Sequence, residues 1–130
     1  MLEKTIIRPD QCPPPLGPYN HAVKVGNFLY CSGQIPLDPV TGQMISSEAI
    51  ADQTDRVLQN IQLILSSQQL SFEHVIKSTV FMVDLKDFTA MNTVYGGYFT
   101  KNFPARSTVQ VAALPKNAKI EIEVIAYIPD

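Results

Sequence analysis

A chain of 130 residues is long enough for one domain with its own core and too short for two ordinary ones. Apolar residues make up 45% and charged residues 17%, with a net charge of −2. That balance argues against a nucleic-acid binder, which needs clustered Lys and Arg, and no apolar run reaches the length of a membrane span.

The first stretch, MLEKTIIRPD, carries an acidic residue at once and no apolar core, so no signal peptide is expected. PPP at 13–15 followed by LGPYN predicts a stiff extended segment. HAVKV, then Gly26-Asn27, then FLYCSGQI predict a β-hairpin, two apolar-rich runs joined by a turn tolerant of positive φ. IPLDPVTGQM follows as a Pro/Gly loop. From Ser47 to about Gln69 the period changes: Ile50, Thr54, Val57, Leu58, Ile61, Ile64 and Leu65 recur at three and four. The spacing predicts an amphipathic helix capped by Ser46 or Ser47.

VIKSTVFMV, 75–83, is β-branched and nearly all apolar, which predicts a central strand. A second helix is expected from about Leu85 to Lys101, with Phe88, Met91, Val94, Tyr95, Tyr98 and Phe99 on one side. Gly96-Gly97 weakens it, each glycine costing about 1 kcal/mol against alanine, and suggests a close packing contact. A strand at 106–113, a turn at LPKNA and a last strand in KIEIEVIAYI complete the order β-β-α-β-α-β-β. Both helices carry a single apolar stripe, so the economical arrangement lays both on one face of a mixed sheet. In the last strand Ile120, Ile122, Val124, Ala126 and Ile128 form one face, and Lys119, Glu121, Glu123, Ile125 and Tyr127 the other. A solvated face rarely carries Ile and Tyr, so the second face is expected to meet other subunits, with polar pockets in the contact.

The chain has no GxSxG elbow, P-loop or GxGxxG. Cys12 and Cys31 read as free thiols in a reducing compartment, with the cytoplasm as the expected address. Cys31 is expected to be a small buried hydrophobe, and His74, after SFE, to cap or solvate a junction. His21 and His74 have no metal-ligand spacing, so no metal is expected. What remains is Arg106 with the carboxylates of the last strand, plus Tyr19, Ser32 and Asn92. An arginine fork suits a substrate carboxylate, and a nearby glutamate could hold a water. Two plainer readings stand beside that one: Arg106 solvates a strand end, or pairs with a glutamate at an interface.

FPARSTVQVAALP followed by KIEIE resembles the signature of the RidA (YjgF/YER057c/UK114) family, in which P-A-R-S-x-V leads to an I-E-I tripeptide. GPYNHAV, the SGQIP stretch after Cys31, and FTAMNTVYGGYF also resemble that family's blocks, so the likeness covers essentially the whole chain. The resemblance implies an α+β, chorismate mutase-like fold for a single domain over 1–130, and a homotrimer with clefts between subunits. It implies hydrolysis of small 2-imino acids and their enamines, such as 2-aminoacrylate/2-iminopropanoate and 2-iminobutanoate, to 2-oxo acids and ammonia, with no cofactor. The same family also includes proteins described as translation inhibitors with ribonuclease activity and as regulatory binders. A ribonuclease fits this chain poorly, because it lacks paired histidines and a basic surface.

Residue by residue, the resemblance assigns the carboxylate-binding arginine to Arg106 and the water-orienting glutamate to Glu121. The pocket tyrosine falls on Tyr19, the cleft-lining pair on Ser32 and Gly33, and a second-helix asparagine on Asn92. Some members have cysteine two residues after the arginine. Here that position is Thr108, which leaves its backbone N–H and C=O as the groups expected to contact substrate. Arg106 and Glu121 open two strands joined by a short connection. If those strands are antiparallel neighbours, the two side chains meet only across a subunit boundary.

Overall fold

The computed structural model describes residues 3–130. Its strands are β1 (Thr5–Ile7), β2 (Ala22–Val25), β3 (Phe28–Gln34), β4 (Val75–Met82), β5 (Ala105–Gln110) and β6 (Ile120–Tyr127). The helices are α1 (Ile50–Ser67) and α2 (Phe88–Tyr98). The strands form one sheet in the order β1-β2-β3-β6-β4-β5. Only β4 and β5 run parallel, and α2 supplies the crossover that a parallel pair needs. The expected α+β mixed sheet is present, with β4 inside it. β1 is an addition: three residues gave too short a run for periodicity to register.

The hairpin turns where expected. Val25 pairs with Phe28, and Gly26 takes a φ of 57°, a conformation that glycine adopts without a Cβ clash. All seven apolar-face positions of α1 are buried against the sheet. Its start differs from expectation. The helix begins at Ile50 with Ala49 at the N-cap and no side-chain cap. Ser47 instead accepts from the Ala49 N–H at 3.2 Å and donates to Asp52 at 2.6 Å. Those bonds stabilise an extended 46–49 segment in place of another helical turn.

The second helical segment is also shorter than the spacing suggested. Leu85–Asp87 forms a 3-10 turn, stabilised by Asp84 accepting from the Lys86 N–H, and α2 then runs only to Tyr98. Met91, Tyr95 and Phe99 are its buried residues, the last of them at the C-cap. Gly96 and Gly97 make no close packing contact, since a Cβ on either would meet nothing within 4 Å. β5 stops at Gln110 rather than 113, and the following loop turns through Lys116 and Asn117, both at positive φ. His74 caps as expected, its Nδ1 accepting from the Ser71 N–H at 3.0 Å. Cys31 is buried, and burial pushes its thiol up to about 12.

The last strand divides as its alternation required. Ile120, Ile122, Val124 and Ala126 lie in the core under the helices. The other face carries Tyr30, Phe28 and Tyr127 at 43%, 38% and 41% exposure. These three rings touch edge-on or tilted, with centroids 5.9 and 6.4 Å apart. Among the described residues no helix is long and apolar enough to cross a membrane.

Candidate active site

Arg106 stands second in β5, opposite Ser78 of β4, which in turn faces Val124 of β6. Side chains paired across a ladder share a face, and Ser78 and Val124 are both buried under the helices. Arg106 therefore rises on the helix side, at the outer edge of the sheet. There its Nη1 donates to Asn92 Oδ1 at 2.8 Å, and its Cζ lies 4.7 Å from the centroid of Tyr95 and 5.6 Å from that of Phe88. Asn92 and Tyr95 are one helical turn apart on α2, which is why both reach the same guanidinium. The cleft around them measures about 340 Å³ and is walled by Phe99, Phe103 and Pro104. The remaining guanidinium N–H groups are free to meet a planar anion there.

Glu121 belongs to a second cleft. It faces Phe81 of β4, three positions along β6 from Val124, so it projects from the opposite face of the sheet to Arg106. A cleft of about 220 Å³ brings it together with Tyr19, His21, Gly33 and Gln34. Gly33 sits where the β3–β6 register slips between Cys31 and Gln34. A Cβ there would collide with the Glu121 carboxylate, so glycine is what lets this acid lie against the bulge. Burial raises the Glu121 pKa above the usual carboxylate value, and the neighbouring charge of Glu123 raises it further. Tyr19 is half exposed, its hydroxyl accepting from the Leu16 N–H at 3.4 Å.

Five of the seven expected positions thus fall into two groups within one chain. Arg106 and Asn92 meet, and so do Tyr19, Gly33 and Glu121. Ser32 lines neither cleft: its hydroxyl donates to the Asn20 carbonyl at 2.5 Å, tying the bulge to the segment before β2. Thr108 shares the Arg106 face, and its Oγ1 is buried without a hydrogen-bond partner. Val111 donates to the Met82 carbonyl, so alternation along β5 turns the Thr108 backbone outward, off the sheet edge. β5 and β6 are not neighbours as supposed, because β4 lies between them. The separation survives that correction: Arg106 and Glu121 are offset by roughly 10 Å along the strands and roughly 10 Å across them, on opposite faces. They form no ion pair, and the one salt bridge among the described residues is Lys101–Glu73 at 3.8 Å. Tyr95 and Phe88 were missed as neighbours of the arginine. The signal for Tyr95 was its position three residues after Asn92.

The chain matches the family described as Endoribonuclease L-PSP over residues 10–128. It is 47% identical over 126 residues to a RutC family protein of Pyrococcus abyssi, covering 97% of this chain and 98% of that one. It is 42% identical over 125 residues to the human 2-iminobutanoate/2-iminopropanoate deaminase, covering 96% and 90%. Among solved structures it resembles E. coli TdcF with bound serine, at a TM-score of 0.88 and 41% identity over 96% of this chain and 99% of that one.

Proposed function

We propose that this chain, which belongs to the RidA family, is an enamine/imine deaminase acting on small 2-imino acids. Its substrates in this reading are 2-iminopropanoate, with its enamine 2-aminoacrylate, and 2-iminobutanoate. The observation that carries the reading is the arginine: Arg106 is oriented by Asn92 at 2.8 Å and presents its remaining donors to an apolar-walled cleft. A guanidinium fork aligned in this way fixes both oxygens of a carboxylate and so fixes C2 beside it.

Much of the reactivity belongs to the substrate, since a protonated imine is already electrophilic at C2. Water adds to C2 as Glu121 takes a proton from it, giving a carbinolamine. The same carboxyl returns the proton to the nitrogen, the C–N bond breaks and ammonia leaves, and the C2 hydroxyl gives its proton to the regenerated carboxylate as it closes to the carbonyl. The raised pKa of Glu121 favours this exchange, because it brings the group closer to neutral working pH. Tyr19 and the outward backbone of Thr108 complete the contacts.

Arg106 and Glu121 lie on opposite faces of one chain, so this mechanism needs a second copy to join the two groups. The exposed rings of Phe28, Tyr30 and Tyr127 supply an apolar face for such contacts. The assembly in this reading is a homotrimer with a site at each boundary, and the two thiols suit a cytoplasmic setting. Sedimentation equilibrium at micromolar concentration is expected to give three chains per particle. The test of function is release of ammonia from an imine generated in situ by a pyridoxal-phosphate-dependent serine or threonine dehydratase. Acceleration over the uncatalysed decay supports the deaminase. Binding of 2-oxobutanoate without any acceleration would make the protein a 2-oxo acid binder instead.

A further inference from the structure

Arg106 stands on a buried polar pair that its own charge does not require. Ser78 is fully buried, directly opposite Arg106 in the sheet, and its hydroxyl lies 2.9 Å from the Tyr95 hydroxyl. Tyr95 is 7% exposed, and its ring stacks on Phe99 at a centroid distance of 4.2 Å and an interplanar angle of 17°. The other surroundings of that ring include the guanidinium, 4.7 Å from its centroid. We infer that Tyr95, anchored by Ser78 and backed by Phe99, is the positioning residue that sets the plane of the Arg106 guanidinium.

Asn92 fixes one nitrogen of the guanidinium, which leaves the plane free to swing about that hydrogen bond. A flat ring beneath the group removes the swing, through cation–π attraction and stacking. The ring is itself held from two sides, by the hydroxyl bond to Ser78 and by Phe99. An apolar pair of similar shape at 78 and 95 would fill the same volume with no buried polar atoms to satisfy, so packing alone gives no reason for the hydroxyls. A planar fork that must meet two carboxylate oxygens does give one, because a tilt costs one of the two parallel bonds.

The inference rests on Arg106 being the carboxylate clamp of the proposed reaction, and its test separates the two ideas. The probe is 2-oxobutanoate, titrated by calorimetry into the wild-type protein, Tyr95→Leu and Tyr95→Phe, each with Arg106 and with Arg106→Lys. Losing the ring is expected to weaken binding about tenfold where the guanidinium is present. Tyr95→Phe keeps the ring but not its anchor, and a loss of about threefold is expected. In the Arg106→Lys background, where no plane exists to be set, Tyr95→Leu is expected to change binding by less than about twofold. An equal fall in both backgrounds would show a merely structural role and overturn the inference.

A second readout does not depend on how well Tyr95→Leu folds. In an NMR spectrum of arginine side chains, the Arg106 Hε proton is expected to be displaced by the ring current in the wild type and in Tyr95→Phe. A wild-type Hε at the position of a free arginine would sink the inference. A wild type that binds 2-oxobutanoate and shows this displacement, yet does not speed ammonia release, would refute the deaminase and leave Tyr95 in its role. No binding of 2-oxobutanoate by the wild type would overturn both.

Discussion

Replacing Gly33 by alanine tests whether Glu121 must lie against the β3 bulge. The backbone at Gly33 is outside the left-handed region, so alanine meets no conformational strain there. The new Cβ would stand 2.7 Å from the Glu121 Cδ and 3.0 Å from its Cγ, so the carboxylate must swing away. The atoms that yield are the end of a half-buried side chain, which puts the stability loss at the low end of overpacking, about 1 kcal/mol. For a domain of this length that is a fall in Tm of about 4 °C. Turnover should suffer far more, because a displaced acid–base group forfeits on the order of 100-fold. The assay pairs thermal melts with ammonia release from an imine formed in situ. Gly33→Ala should add almost nothing to the defect of Glu121→Gln, since both remove the same carboxylate from the same place. Activity within about twofold of wild type in Gly33→Ala would refute the reasoning.

Arg106→Ala should cost about 3 kcal/mol of transition-state stabilisation, read as kcat/KM, with Arg106→Lys intermediate because charge without the fork holds but does not orient. Mixing Arg106→Ala chains with Glu121→Gln chains should restore part of the activity, and no recovery with subunit exchange confirmed by mass spectrometry would exclude a shared site. The raised pKa of Glu121 means that the native state binds its proton more tightly than the unfolded chain does. Its contribution to stability is therefore present at acid pH and lost as pH rises through the folded pKa. Glu121→Gln should accordingly melt higher than wild type near neutral pH, with the difference shrinking towards pH 4, and an equal difference at both would count against the shift. Exhaustive chelation should leave turnover intact, and restoration by added zinc after a loss would overturn the mechanism.

The features of the fold that repeat along the chain were legible without coordinates. The three-and-four spacing of α1 and the twofold alternation of β6 located the core face of each element, because both signals extend over seven positions or more. End points were less legible, since they depend on single side-chain bonds. Ser47 can cap a helix or brace an extended turn, and only its reach to Asp52 decides. The site was half visible. Quoted motifs picked out Arg106, Glu121 and Gly33, but no linear pattern says that Glu121 leans on Gly33, or that Ser78 reaches Tyr95 beneath the arginine. Those contacts join residues on different elements, and the strand order that creates them is not written at any one position.

β6 follows the other five strands along the chain, yet it occupies the interior of the sheet between β3 and β4. Until residues 120–127 leave the ribosome, β3 and β4 each have an open edge where β6 belongs, and α1 has only part of the surface it covers. The nascent chain must therefore wait, with two sticky edges exposed, and complete its sheet only once residues 120–127 have been translated. Ribosome-stalled chains ending before Ile120 should be digested rapidly by added protease, whereas chains carrying β6 beyond the exit tunnel should resist. Such a fold places its greatest demand on holding chaperones in the interval just before β6 emerges.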